Sequence, residues 1–256
     1  MPVNGESAAL IAILEGIRVP RDGVIVIHSA IARLSRQGFR AEAMIEAFLN
    51  YMRDGTVVMP TMTWRTVTPQ NPVWDEIRTR SETGVMTEMF RTRYANMRSI
   101  HPTHSVAAYG AAAKILVSQH HLDSTPVSPR SPYGLMRDFP TTIMMIGVGL
   151  ECCTAIHLPE EMIAPHIYLR PAEEAEAYEC IDRHGASHRV WTRRHLRLDR
   201  DFPKFGSVLE KKGLIKFGMI GDCSFAIVGQ QDLIDVVSAA LDAEPRATLR
   251  HPETAV

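Results

Sequence analysis

No apolar run in this 256-residue chain approaches the roughly 20 residues that cross a bilayer, so no membrane-spanning helix is expected. The first residues, Met1 to Ser7, have neither the basic region nor the apolar core of a secretory signal, and a cytoplasmic location is expected. Cysteine is sparse. Cys152, Cys153, Cys180 and Cys223 have no zinc-ligand spacing, and the vicinal pair is poorly suited to a disulfide, so a reducing compartment is the simplest setting. Neither sign of charge is in excess: 28 Lys and Arg face 29 Asp and Glu, for a net charge of -1. No general field therefore attracts nucleic acid or an anionic membrane. HExxH, CxxC and GxGxxG patterns are absent, and no metal site is expected. The Gly-x-Ser-x-Gly elbow of many serine hydrolases is absent too.

What is present is an ordinary globular composition, 45% hydrophobic and 22% charged, on a chain long enough for one large α/β domain. Residues 7–17 carry apolar side chains at helical spacing. Val24-Ile25-Val26-Ile27 is a β-branched run suited to a strand covered on both faces, and it ends at His28-Ser29. A helical pattern over 40–53 and a second apolar run, Thr56 to Met59, make a strand–helix–strand unit that favours parallel pairing. Residues 60–83, with Trp64 and Trp74, read as a long binding loop. Further strands are expected over Val106–Tyr109 and Thr141–Val148, a hairpin around His184-Gly185, and one or two short strands within Gly218–Val228. Helices are expected over 83–93, 111–119, 155–164 with Thr154 as N-cap, 203–213 and 231–242. No linker or repeat divides the chain. One domain with a core over 8–242 and a frayed tail over 243–256 is expected, its mixed, largely parallel central sheet flanked by helices in three layers.

Two polar clusters carry chemistry. Arg98-Ser99-Ile100-His101-Pro102-Thr103-His104-Ser105 holds two imidazoles, three hydroxyls and a guanidinium. Thr154-Ala155-Ile156-His157-Leu158-Pro159-Glu160-Glu161 places an imidazole three residues before a carboxylate, on one face of a helix. An imidazole oriented by a carboxylate is a general base near neutral pH. Glu161 is as near in sequence as Glu160, and either fits as the partner. Ser29, Ser99, Ser105 and Ser131 are nucleophile candidates for a rival hydrolase reading. Cys152 and Cys153 are thiolate candidates if a helix N-terminus lowers their pKa.

Taken together, His28-Ser29, the run Asp54 to Thr61, Arg98 to Ser105, Ser131-Pro132-Tyr133-Gly134, Gly147-Val148-Gly149, Thr154 to Glu160 and Gly221-Asp222-Cys223 resemble the aminoglycoside 3-N-acetyltransferase family over residues 8–242. The resemblance implies an α/β enzyme that moves an acetyl or other short acyl group from coenzyme A to an amine, without a metal. It implies His157 and Glu160 as the catalytic pair, with His101 and His104 lining the same cleft. His28, Ser29, Ala30, Arg98, Ser99 and Ser131 would border the coenzyme A tunnel, Arg98 pairing with a phosphate. Trp64, Asp75, Glu76 and Thr154 would meet a small-molecule amine. A monomer or homodimer is expected, with neither nucleic acid nor membrane as partner.

Three positions depart from the family pattern. Ala30 stands where a second serine is frequent, Pro159 stands between His157 and Glu160, and residues 61–73 contain Arg65 but no carboxylate. Aminoglycosides are polycations, so the last departure leaves an amino sugar or another biosynthetic amine as a competing acceptor. A serine-dependent thioesterase and a non-catalytic coenzyme A-binding relative are the further alternatives.

Overall fold

The computed structural model describes residues 5–250. The strands are β1 (Val24–Ser29), β2 (Thr56–Pro60), β3 (Val73–Asp75), β4 (Met97–Arg98), β5 (Val106–Gly110), β6 (Thr141–Ile146), β7 (Glu176–Ile181), β8 (Ser187–Thr192), β9 (Ile215–Ile220) and β10 (Cys223–Gly229). The helices are α1 (Gly5–Ile17), α2 (Ala32–Arg36), α3 (Ala41–Tyr51), α4 (Val85–Arg93), α5 (Ala113–Val117), α6 (Pro132–Leu135), α7 (His157–Ile163), α8 (Pro165–Tyr168), α9 (Lys204–Lys211) and α10 (Gln230–Ala243).

Seven strands form the central sheet in the order β4-β5-β2-β1-β6-β10-β9. The β1 run shows why it is central. Val24 and Val26 point into one core with Val58, Ile143 and Met145. Ile25 and Ile27 point into the other with Val57, Met59, Met144 and Ile146. A strand apolar at every position needs a cover on each face. The first core is covered by Leu116 of α5, Leu158 of α7, Leu209 of α9 and Leu233 of α10. The second is covered by Leu10 and Leu14 of α1, Phe48 of α3 and Phe90 of α4. Each such side chain contributes roughly 1.5–3 kcal/mol by leaving water.

The sheet is mixed, as expected, but the balance of directions differs from expectation. β1 pairs in parallel with β2 and β6, while β2–β5, β4–β5, β6–β10 and β9–β10 are antiparallel. Apolar patterning reports burial, and burial is the same for either direction, so the largely parallel reading did not follow from it. The 60–83 segment is also more ordered than a loop. Val73–Asp75 pairs with β7, and β7 with β8, to build a small second sheet over Val67, Trp74, Tyr178, Cys180 and Val190. The expected tail is packed over its described part: Thr248 is fully buried, and Leu249 bridges to Arg200. Residues 251–256 lie outside the described residues. Among the described residues no helix is long and apolar enough to cross a membrane.

Candidate active site

A cavity of about 950 Å³ opens at the C-terminal ends of β1 and β6. Ligands bind there in open α/β sheets because side chains and loops diverge where parallel strands end. Its walls come from His28, Ser29 and Ala30 after β1, Met62, Trp64, Arg65 and Glu82 to Gly84 after β2, His104, Cys152 to Thr154 and His157 after β6, and Arg194 to Arg197 with Arg200 after β8. Gly147 lets the chain leave β6 beside β1. Its φ is +66°, and a Cβ there would lie 2.4 Å from the Ala30 carbonyl oxygen.

His157 opens α7. A 3-10 turn over Thr154–Ile156 precedes the helix, and Ile156 rather than Thr154 occupies the N-cap position. Thr154 lines the cavity instead. Pro159, in the first turn of α7, falls where a missing N–H removes no helical hydrogen bond. One turn after His157 its Nδ1 meets Glu160 Oε2 at 2.7 Å. A carboxylate there holds the proton on Nδ1 and leaves Nε2 as the basic nitrogen. Glu160 is fully buried and is itself held. Arg200 Nε donates to it at 3.0 Å and Thr248 Oγ1 at 2.5 Å. Burial pushes the Glu160 carboxyl up, but His157, Arg200 and Thr248 more than offset this, and its pKa ends below the ordinary value.

Glu161 makes a different pair. Its Oε1 meets His195 Nε2 at 2.7 Å and accepts from the Val127 backbone N–H at 2.9 Å. The His195 and His157 rings stack at 4.2 Å, so two adjacent carboxylates each hold one of two stacked imidazoles. Burial pushes Glu161 up to about 7. Burial, followed by the charge of His157 and Arg200, pulls His195 well below the imidazole range.

His104 lines the cavity and meets the His195 ring edge-to-face at 5.2 Å, with Thr103 Oγ1 at 2.8 Å from its Nδ1. Burial and the neighbouring imidazoles pull it well below the ordinary range. His28 Nε2 and Ser29 Oγ are buried at the cavity without a hydrogen-bond partner. Burial lowers His28 to about 4, so its ring is neutral. The Ala30 N–H is committed to the Ile146 carbonyl and cannot serve as an anion donor. Trp64 lines the cavity and is partly exposed.

Six expected site residues sit elsewhere. His101 is buried off the cavity, where its Nδ1 accepts the backbone N–H of Thr103 and of His104 and its ring stacks on His120 at 4.3 Å. Arg98 is buried and pins the 60–83 segment. Its guanidinium donates to the carbonyls of Thr61, Glu76 and Thr79 and lies over the Trp74 ring at 4.7 Å. Burial and the nearby Arg91 lower it to about 9. Its Nε donates to the Thr61 and Ser105 hydroxyls, so the guanidinium is held by the frame, off the cavity, rather than presented to a phosphate. Ser99 accepts the Val106 N–H and bonds His120. Ser131 caps α6. Asp75 caps the turn at Ile77 and Arg78, and Glu76 pairs with Arg183 at 2.6 Å. All six fail to reach the cavity because they build its frame.

The other nucleophile candidates are equally constrained. Ser105 bonds Thr61, and burial pushes the Cys153 thiol up to about 12, the reverse of activation. Cys152 lines the cavity, but burial and then Glu151 raise its pKa as well. Among the described residues no cluster of three or more His, Cys, Asp or Glu is placed to hold a metal ion. His195, Arg200 and Thr248 belong to the site without any local signal in the sequence.

Fold and site together define an α/β enzyme with a carboxylate-held imidazole facing a deep cavity. The aminoglycoside 3-N-acetyltransferase family model matches residues 26–242, and the chain belongs to that family. It is an aminoglycoside 3-N-acetyltransferase-like enzyme at low identity to characterised relatives. Aminoglycoside N(3)-acetyltransferase IV from a Salmonella species is 26% identical over 99% of this chain and 94% of its own. The SPbeta prophage-derived aminoglycoside N(3')-acetyltransferase-like protein YokD of Bacillus subtilis is 23% identical over 87% of each chain. Among solved structures, a mutant of AAC(3)-IVa in complex with a gentamicin superposes with a TM-score of 0.79 at 24% identity, covering 99% of this chain and 94% of that one. AAC-IIIb in a binary complex with CoASH gives 0.76 at 19% identity, covering 93% and 96%.

Proposed function

We propose that the chain moves an acetyl or other short acyl group from coenzyme A to the nitrogen of a small-molecule amine by direct attack, with His157 as general base and the whole chain working as one acyltransferase unit. The observation that carries this is the 2.7 Å His157–Glu160 contact at the wall of the cavity. Family membership and the coenzyme A complex of the relative AAC-IIIb support the donor. The residues fit such a donor: Ser29 Oγ and His28 Nε2 are buried polar atoms at the cavity that lack a protein partner. A cavity of about 950 Å³ is also at the large end of small-molecule sites.

Bound acetyl-CoA supplies an activated thioester carbonyl. An amine at neutral pH is protonated and must lose that proton to become a nucleophile. His157 Nε2 accepts it, and Glu160 stabilises the imidazolium through Nδ1, a role worth about 10²–10⁴-fold in rate. The C–N bond forms as the thioester C–S bond breaks; the imidazolium gives its proton to the leaving thiolate, and Nε2 then takes the second proton from the acylated nitrogen. The Ser29 hydroxyl donates to the carbonyl oxygen as it gains charge. The proposal invokes no metal. His104 and His195 wall the site beside His157, and Trp64 and Thr154 face the acceptor.

The test is thiol release from acetyl-CoA with a panel of amines, at single turnover. His157→Ala is expected to lose at least about 100-fold. Parent-like turnover by that variant would overturn the mechanism. Covalent labelling by a fluorophosphonate would favour a serine hydrolase instead.

A further inference from the structure

The charges around the cavity are not those a polycation needs. Five guanidiniums line it, from Arg65, Arg170, Arg194, Arg197 and Arg200. Among the described residues only two carboxylates do, Glu82 and Glu151. Both are engaged by backbone. Glu82 accepts from the N–H groups of Arg65 and Thr66 and from the Thr66 hydroxyl. Glu151 accepts from the Gly149 N–H at 2.7 Å. The acids nearest in sequence to residues 61–73, Asp75 and Glu76, are off the cavity and already paired.

Three of the arginines have work within the protein. Arg200 pairs with Glu160, Arg194 with Glu176 and Tyr178, and Arg170 lies 3.6 Å from Glu176. Arg65 and Arg197 are different. Both are exposed, and among the described residues neither pairs with a carboxylate; the Arg65 guanidinium lies only against the Trp64 ring. Coenzyme A brings phosphates of its own, so cations alone do not identify the acceptor. The balance of charge does: an aminoglycoside presents several ammonium groups, and the wall sets five guanidiniums against only two carboxylates.

Resting on the acyltransfer reading above, we propose that the acceptor of this chain is an amine that also carries an anionic group, a carboxylate or a phosphate, and that Arg65 and Arg197 receive that group. Guanidinium suits both anions because its paired N–H groups match two oxygens at once. The amine end then points to His157 and the anionic end to the arginines at the mouth.

The experiment compares glucosamine, glucosamine 6-phosphate, glucosaminuronic acid and gentamicin, by thiol release and by equilibrium binding to the full chain. One of the two anionic sugars is expected to exceed glucosamine in kcat/KM by about tenfold or more, with gentamicin last. Whichever is better tells phosphate from carboxylate. The double variant R65Q/R197Q is expected to raise the KM of that sugar about tenfold while the Kd of coenzyme A moves less than about threefold. Two results overturn the proposal: gentamicin is the best substrate, or the double variant weakens coenzyme A binding and leaves the sugar preference intact. If no amine is turned over, the acyltransfer reading fails on its own. Binding then still decides the charge preference, upheld by tighter binding of an anionic sugar than of glucosamine and refuted by tighter binding of gentamicin.

Discussion

Replacing Glu160 by Gln tests the site with the least change of shape. The carboxylate holds three partners: His157 Nδ1 at 2.7 Å, Arg200 Nε at 3.0 Å and Thr248 Oγ1 at 2.5 Å. All three present donors to it, and an amide offers one acceptor oxygen where the carboxylate offers two. If the amide oxygen keeps Arg200 and Thr248, its NH₂ faces Nδ1 and forces the proton of His157 onto Nε2. The basic nitrogen is then on the wrong side of the ring. A drop in kcat of about 10²–10⁴-fold is expected. Arg200, whose side chain is 13% exposed, also loses its countercharge. Removing one member of a buried pair costs about 3–5 kcal/mol, and the amide oxygen recovers part of this, so a loss of about 2–4 kcal/mol is expected. Urea unfolding reads the stability. Single-turnover thiol release reads the rate, without denaturant and at a temperature where the variant stays folded. Glu161→Gln is the control, because that carboxylate meets His195 and the Val127 N–H rather than His157. A Glu160→Gln enzyme within about threefold of the parent rate would refute the tautomer argument.

Thr248→Val removes the hydroxyl that bonds both Glu160 and Tyr168 and should cost about 1–2 kcal/mol and a several-fold loss of kcat, with Thr248→Ser restoring both; equal rates for all three forms would count against it. Arg98→Met should lower stability by about 3 kcal/mol or more by orphaning three carbonyls, yet leave the Kd of coenzyme A unchanged by calorimetry, since Arg98 pins the frame and lies off the cavity. Acid should also unfold the protein through its buried imidazoles. His28 and His120 are lowered from 6.5 to about 4 by burial. The folded state therefore resists their protonation, so stability is full above pH 6.5 and is lost as pH falls toward 4, at ~1.4 kcal/mol per pH unit for each group. Urea midpoints between pH 7.5 and 5 should fall accordingly, and less steeply in His120→Gln; a flat profile would refute the assignment.

The parts of the fold that are written locally were readable. β1, β2 and β6 are uniform apolar runs, and helices α1, α3, α4 and α10 lie where apolar periodicity put them. The spacing of His157 and Glu160 on a helix was visible for the same reason: i and i+3 share a face whatever surrounds them. Strand direction was not, because β5 and β10 are buried much as a parallel strand is. The polar segment Arg98 to Ser105 shows the opposite error. Its residue types are those of an active site, but most of them close hydrogen bonds within the frame, and only Thr103 and His104 reach the cavity. Residue type does not distinguish a satisfied polar core from a waiting one; that needs the partners. His195 is a further case, set among Arg193, Arg194 and Arg197 in a stretch that mixes charged and apolar residues. Its pairing with Glu161 joins residues 34 positions apart and has no local trace.

The contact between Thr248 and Glu160 bears on when during biosynthesis this enzyme becomes competent. Synthesis runs from N to C, so the hydroxyl that fixes the carboxylate is made after every strand of the sheet, both imidazoles and Arg200. The site is complete only once that late segment has packed back against α7. Loss of the chain from that threonine onward would leave Glu160 held by His157 and Arg200 alone.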